Sequence, residues 1–136
     1  MWEDRYRSTG EYLFGTDPAR FLTENPWLLT QGATALSAAD GEGRNAVHLA
    51  RAGMQVASFD LAPTAVARAQ ALAARAGVAL ETGVCAWQDW DWSRRFDLVI
   101  GIFIQFASPA CAQHGPRPAP RAGRGQRRQD ARPARC

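Results

Sequence analysis

The 136 residues are 46% hydrophobic and 21% charged with a formal net charge of +3, which suits one modest globular domain. No apolar run approaches the roughly 18 residues of a membrane span, and Met1-Trp2-Glu3-Asp4 is acidic and aromatic where a secretory leader is basic and then apolar; a cytoplasmic protein without membrane contact is expected. Arginine is concentrated after residue 107, seven against the single acid Asp130, so the first 106 residues are net acidic; lysine is absent.

In chain order, Trp2 to Pro18 is rich in aromatic residues before any strand pattern begins. Such a segment either folds over a pocket as a lid, stacking rings on a flat ligand, or packs on the rim of a sheet. Pro18 with Asp17 as cap predicts a helix through Phe21 and Leu22 that ends before Pro26. The turn Thr30-Gln31-Gly32 then leads into a short apolar strand, Ala35-Leu36-Ser37-Ala38-Ala39.

The bend Asp40-Gly41-Glu42-Gly43-Arg44-Asn45 connects that strand to a helix over Asn45 to Ala52, closed by Gly53. Glycine admits positive φ and close approach of a ligand, and the first N–H groups of the helix lack internal partners. A nucleotide-like ligand is the expected occupant. His48, inside the helix, reads as a packing or surface residue. Gln55 to Asp60 reads as a second strand, and Asp60 falls about twenty residues past the bend, the spacing at which a strand-end carboxylate accepts ribose hydroxyls. The plain alternative is a tight turn at Gly41 and Gly43, with Asp60 capping the next helix.

Pro63 begins a second helix with an apolar stripe of Val66, Ala69, Leu72, Ala73 and Ala76, ending at Gly77. Val78 to Ala86 reads as a third strand, Trp87 to Trp92 as a polar-aromatic loop, and Phe96 to Phe106 as a strand buried on both faces. Strands alternating with helices predict an α/β fold: a Rossmann-like, doubly wound parallel sheet in three layers. Right-handed crossovers give the order 3-2-1-4, with the ligand crevice above strands 1 and 4. The organisation expected is an aromatic segment over 1–32, a binding domain over 33–109 and an Arg/Pro/Ala/Gly-rich tail over 110–136. Cys85, Cys111 and Cys136 follow no metal or disulfide spacing, and Cys111 with His114 is only half a metal site, so no metal is assigned.

These residues resemble the class I S-adenosylmethionine-dependent methyltransferases, and most closely their small tellurite-resistance-like members. The likeness lies in Asp40-Gly41-Glu42-Gly43-Arg44-Asn45, Asp60, Phe96-Asp97-Leu98-Val99 and the opening Trp2-x-x-Arg5-Tyr6 with Tyr12-Leu13-Phe14-Gly15, and covers about residues 1 to 110. It implies S-adenosyl-L-methionine as cofactor, held by Asp40, Gly41, Gly43, Arg44, Asn45, Asp60, Leu61, Ala86, Trp87 and Ile102. It also implies methyl transfer to a small-molecule acceptor near Tyr12, Phe14 and Gln105. Placement of donor and acceptor does the catalytic work, and no catalytic base is required.

Three departures from the resemblance stand out. Ser37 occupies the place of an acid and Ala39 that of a glycine. Ala86 occupies the place of an acid that reads the adenine amine, where the backbone N–H of Trp87 or the side chain of Asp89 would serve instead. After Pro109 hydrophobic periodicity ends, as in a truncated chain, so the run Leu98 to Phe106 is expected to form an exposed, aggregation-prone edge, with poor stability and weak activity. Two alternatives are weighed. Gly41, Gly43, Ala46 and Asp60 also fit the fingerprint of an NAD(P)-binding oxidoreductase. A non-catalytic nucleotide-binding pseudo-enzyme is the other, in which the arginine tail would hold nucleic acid through phosphates; no aromatic residue is interleaved there, so nucleic-acid binding is not expected.

Overall fold

The computed structural model describes residues 2–10 and 12–102. Four parallel strands, β1 (Thr34–Ala38), β2 (Gln55–Asp60), β3 (Glu81–Val84) and β4 (Leu98–Ile100), form one sheet in the order β3-β2-β1-β4. The register sets Ala35 beside Val56 and Leu98, and Asp60 beside Val84. The helices are α1 (Trp2–Ser8), α2 (Arg20–Glu24), α3 (Arg44–Arg51) and α4 (Pro63–Ala76). Asp97 pins β4 to β1 at their start: its carboxylate accepts the Thr34 N–H at 2.8 Å, and its own N–H donates to the Thr34 hydroxyl at 3.0 Å.

Strand alternation divides the core. Ala35, Val56 and Ile100 face Leu22, Ala46 and Leu49 on the helical side, whereas Leu36, Ala38, Ala57 and Phe59 face the opposite way. There the covering layer, among the described residues, is aromatic: Trp90 stacks on Phe59 at 4.6 Å between ring centroids, Trp92 meets it edge-on at 6.0 Å, and Trp87 lies at 6.2 Å. The loop Trp87 to Trp92 therefore builds core and is not merely a polar connection. Full burial of the Phe59 ring contributes roughly 1.5–3 kcal/mol.

Local signals explain the crossover helices. α4 has Pro63 in its first turn and an alanine-rich body, and Gly77 closes it in the left-handed region, φ +69°, where its N–H and that of Val78 return to Ala74 and Ala73 carbonyls. Its buried face is Ala65, Val66, Ala69 and Ala73.

Several expectations are corrected. Asp17 does not cap α2; the residue before that helix is Ala19, whose N–H donates to Asn45 Oδ1 at 2.7 Å. Trp2–Ser8 is a helix that the aromatic composition did not announce. β3 is confined to residues 81–84, because as an outer strand it pairs only with β2. Val99 is 50% exposed, so β4 is not buried on both faces: Ile100 faces the helical layer while Val99 points away from it.

Candidate functional site

The carboxyl ends of β1 and β2 open into a cleft with about 850 Å³ of empty space, its open mouth included. At its centre is the bend after β1. Ala39 is the one described non-glycine residue at positive φ, +50°, and Gly41 and Gly43 follow at +64° and +89°. A Cβ at Gly43 would lie 2.6 Å from Ala69 Cβ and 2.8 Å from Ala69 Cα, so glycine there lets α3 and α4 close on one another. A Cβ at Gly41 would lie 2.8 Å from the Tyr6 hydroxyl.

Asp60 is turned onto this bend. Its Oδ2 accepts the Gly41 N–H at 2.9 Å and its Oδ1 the Ala62 N–H at 2.9 Å. Each oxygen keeps a lone pair for a further donor. Burial raises the Asp60 carboxyl above its usual range, against the pull of those N–H bonds.

Asp40 is set deeper. Its Oδ1 accepts the Ser37 hydroxyl at 2.6 Å and the Ala46 N–H at 3.3 Å, while Oδ2 is buried with no hydrogen-bond partner among the described residues. Burial pushes this carboxyl up to about 7, although the Ser37 and Ala46 donors oppose it.

The aromatic opening lies over the cleft, with Trp2, Tyr6, Phe14 and Gly15 in its wall. Trp2 packs on Tyr6 and Phe14 at 6.1 and 6.3 Å. Glu3 accepts the Thr64 N–H at 3.0 Å and so ties α1 to the first turn of α4. Glu42, buried between the two glycines, accepts the Leu13 N–H at 2.6 Å with one oxygen and pairs with Arg68 at 2.7 Å through the other. Arg68 also donates to the Thr9 carbonyl. The bend and its cover thus share one buried ion pair. Sequence reasoning missed this role, and the only signal was a carboxylate between two glycines. Burial, then the Asp60, Glu42 and Asp40 carboxylates, raise the Tyr6 phenol well above its ordinary value.

Of the residues singled out from the sequence, Asp40, Gly41, Arg44, Asn45, Asp60, Leu61, Trp87, Ile102 and Phe14 line the cleft. Gly43 stands behind it against Ala69, and Ala86 lies outside the lining between Cys85 and Trp87. Asn45 also spends its amide oxygen on Ala19. Tyr12 is not in the wall. Its hydroxyl donates to the Arg68 carbonyl at 3.0 Å and accepts from Arg75 at 2.8 Å, fastening the chain to α4. Gln105, Cys111, His114 and the arginine-rich tail lie outside the described residues. His48 borders a separate groove with Arg51 and Leu72. Among the described residues no cluster of His, Cys, Asp and Glu could hold a metal ion, and no helix is long and apolar enough to cross a membrane.

Comparison with known proteins bears on this cleft. A family model described as a methyltransferase domain matches residues 35–114. No curated protein matches the chain. Among solved structures, one from work on the conversion of a disulfide bond into a thioacetal group during echinomycin biosynthesis is 29% identical, with a TM-score of 0.64, covering 76% of this chain and 46% of that one. A methyltransferase of Geobacter sulfurreducens, in complex with S-adenosyl-L-homocysteine, is 15% identical with a TM-score of 0.65, over 87% of this chain and 52% of that one. Its counterpart from Thiobacillus denitrificans, with the same ligand, is 17% identical with a TM-score of 0.62, over 76% and 44%. The chain therefore spans about half the length of the solved structures it matches.

Proposed function

We propose that this chain, which belongs to the methyltransferase-domain family, binds S-adenosyl-L-methionine in the cleft over Gly41 and Gly43 and serves methyl transfer to a small-molecule acceptor. The observation that carries the reading is Asp60, whose carboxylate is fixed on the Gly41 N–H with lone pairs to spare for the ribose hydroxyls. The residues fit the group in a second respect, since Asp40 Oδ2 is a buried acceptor without a donor among the described residues. When bound, the cofactor supplies a sulfonium-activated methyl group.

What the chain contributes is placement and exclusion of water. The bend brings backbone close to the ligand, Leu61, Trp87 and Ile102 offer an apolar wall to the purine, and the Trp2, Tyr6 and Phe14 rings close the mouth. Phe14, 49% exposed at that mouth, is the acceptor-side residue. Tyr12 acts from behind by holding the strap on α4. The tellurite-resistance-like placement rests on the Trp2-x-x-Arg5-Tyr6 opening, whose helix bears on the cleft.

The NAD(P) alternative is not favoured, because the family match is to methyltransferases. Equilibrium dialysis of the full chain against methyl-labelled S-adenosylmethionine and, separately, NAD decides between them. Retention of the first alone supports the proposal, and retention of NAD alone or of neither removes it.

A further inference from the structure

We propose that the groove between α3 and α4 is a binding site for a small organic phosphate, its phosphoryl group held by Arg51, Arg75 and His48 and its apolar body laid on Val47, Leu72 and Ala76. The groove shares only Arg44 with the cleft described above, and the assignment does not depend on the function proposed for that cleft.

Helix spacing brings the cations together. Arg44, His48 and Arg51 follow one another at intervals of four and three residues on α3, so they share one face of that helix. Leu72, Arg75 and Ala76 do the same on α4. Both faces border one groove with about 840 Å³ of empty space, its open side included, and residues 16–18 complete its wall. Three arginines against one acid, Asp17, leave it net positive, although the first 106 residues are net acidic.

These cations stand ready for an anion. Arg51 and His48 make no hydrogen bond or ion pair with any other side chain among the described residues. Arg75 is already aimed: its Nη2 donates to the Tyr12 hydroxyl at 2.8 Å with the guanidinium 5.3 Å from that ring's centroid, which fixes the fork while other N–H groups remain for a ligand. A guanidinium fork matches phosphoryl oxygens two at a time. The floor selects an organic ester over bare phosphate, because buried Val47 and half-buried Leu72 and Ala76 place apolar surface beside the charges. A phosphate polymer is disfavoured, since a long anionic strand leaving the groove meets a net acidic domain.

His48 reports on the site. Burial, then the charge of Arg51, holds its imidazole below the ordinary range, so it is largely neutral at pH 7. The charged groups around the same groove are Arg44 and Arg51 on its own helix, Arg75 on α4 and Asp17 on the segment before α2. A bound phosphate dianion offsets the arginines and draws the imidazole back up.

The experiment follows the His48 ring protons of the full chain by NMR through a pH titration, without ligand and with phenyl phosphate; His48→Gln identifies that signal beside the one from His114. Phenyl phosphate should raise the His48 midpoint by about half a pH unit or more. It should also bind about three- to tenfold more tightly than inorganic phosphate, through its ring on the floor. Arg51→Gln should raise the midpoint of the ligand-free chain and weaken phenyl phosphate about tenfold or more. Arg95→Gln, at an exposed arginine outside the groove, should change binding by less than about twofold. The unmodified chain decides the matter even if a variant does not fold: a His48 midpoint unmoved by about 10 mM phenyl phosphate overturns the proposal. Equal affinity for inorganic and phenyl phosphate, equal loss in Arg51→Gln and Arg95→Gln, or a response only to a single-stranded oligonucleotide or to phosphatidic acid vesicles overturns it as well.

Discussion

Gly43→Ala is the sharpest test of how the bend is built. The new methyl group would sit 2.6 Å from Ala69 Cβ and 2.8 Å from its Cα, on a residue at φ +89°. The left-handed backbone costs an ordinary residue roughly 1–2 kcal/mol and an overfilled contact about 1–3 kcal/mol, so the variant should lose roughly 2–5 kcal/mol. Since a domain holds only about 5–15 kcal/mol in total, that is a large share. Urea denaturation should show a lower midpoint with unchanged slope. The two contributions separate in a double-mutant cycle: Ala69→Gly removes the methyl partner but leaves the strained φ, so the pair should be less destabilised than the sum by about 0.5–1 kcal/mol or more. A Gly43→Ala chain within about 0.5 kcal/mol of the parent, or strict additivity with Ala69→Gly, would refute the contact.

The remaining expectations concern the acids and the strained turn. Glu42→Ala leaves Arg68, with a side chain only 20% exposed, without its carboxylate, and should cost about 3 kcal/mol; hydrogen exchange at the Leu13 amide should rise with it, and unchanged exchange would separate the bend from its cover. Ala39→Gly relieves a residue at φ +50°; after the extra freedom of glycine in the unfolded chain is counted, a gain of about 0.5–1 kcal/mol is expected in the same urea assay, and a loss would contradict it. Asp40 titrates at about 7 when folded, against an ordinary 3.8, so between those values the unfolded chain binds fewer protons and stability falls as pH rises. At about 1.4 kcal/mol per pH unit the fall is on the order of a few kcal/mol, with Asp60, also raised, acting in the same direction. Melts at pH 5 and pH 8 should differ less in Asp40→Asn than in the parent, and an equal difference would argue against the buried titration.

The sheet was legible because each element carries its own punctuation. Gly32, Gly53 and Gly77 mark stops, Pro63 marks a start, and the spacing from the bend to Asp60 matches the β1-α3-β2 unit that brings that carboxylate back onto Gly41. What was not legible depends on contacts far apart in sequence. Nothing local says that Glu42 meets Leu13 and Arg68, or that Tyr12 spends its hydroxyl on α4. The loop from Trp87 to Trp92 has no periodicity, yet it covers the face of Phe59, because residues without a regular repeat can still bury rings once a sheet offers them a surface. Likewise Asp97 reads only as a charge before an apolar run until pairing of β4 with β1 brings it to Thr34.

The central claim is tested most directly by a crystal structure of the full chain grown with S-adenosylhomocysteine. The account predicts density over Gly41 and Gly43, both ribose hydroxyls within hydrogen-bonding distance of the Asp60 carboxylate, and the purine against Leu61 and Trp87. Ligand found elsewhere, or an Asp60 carboxylate that makes no contact with the sugar, would contradict it.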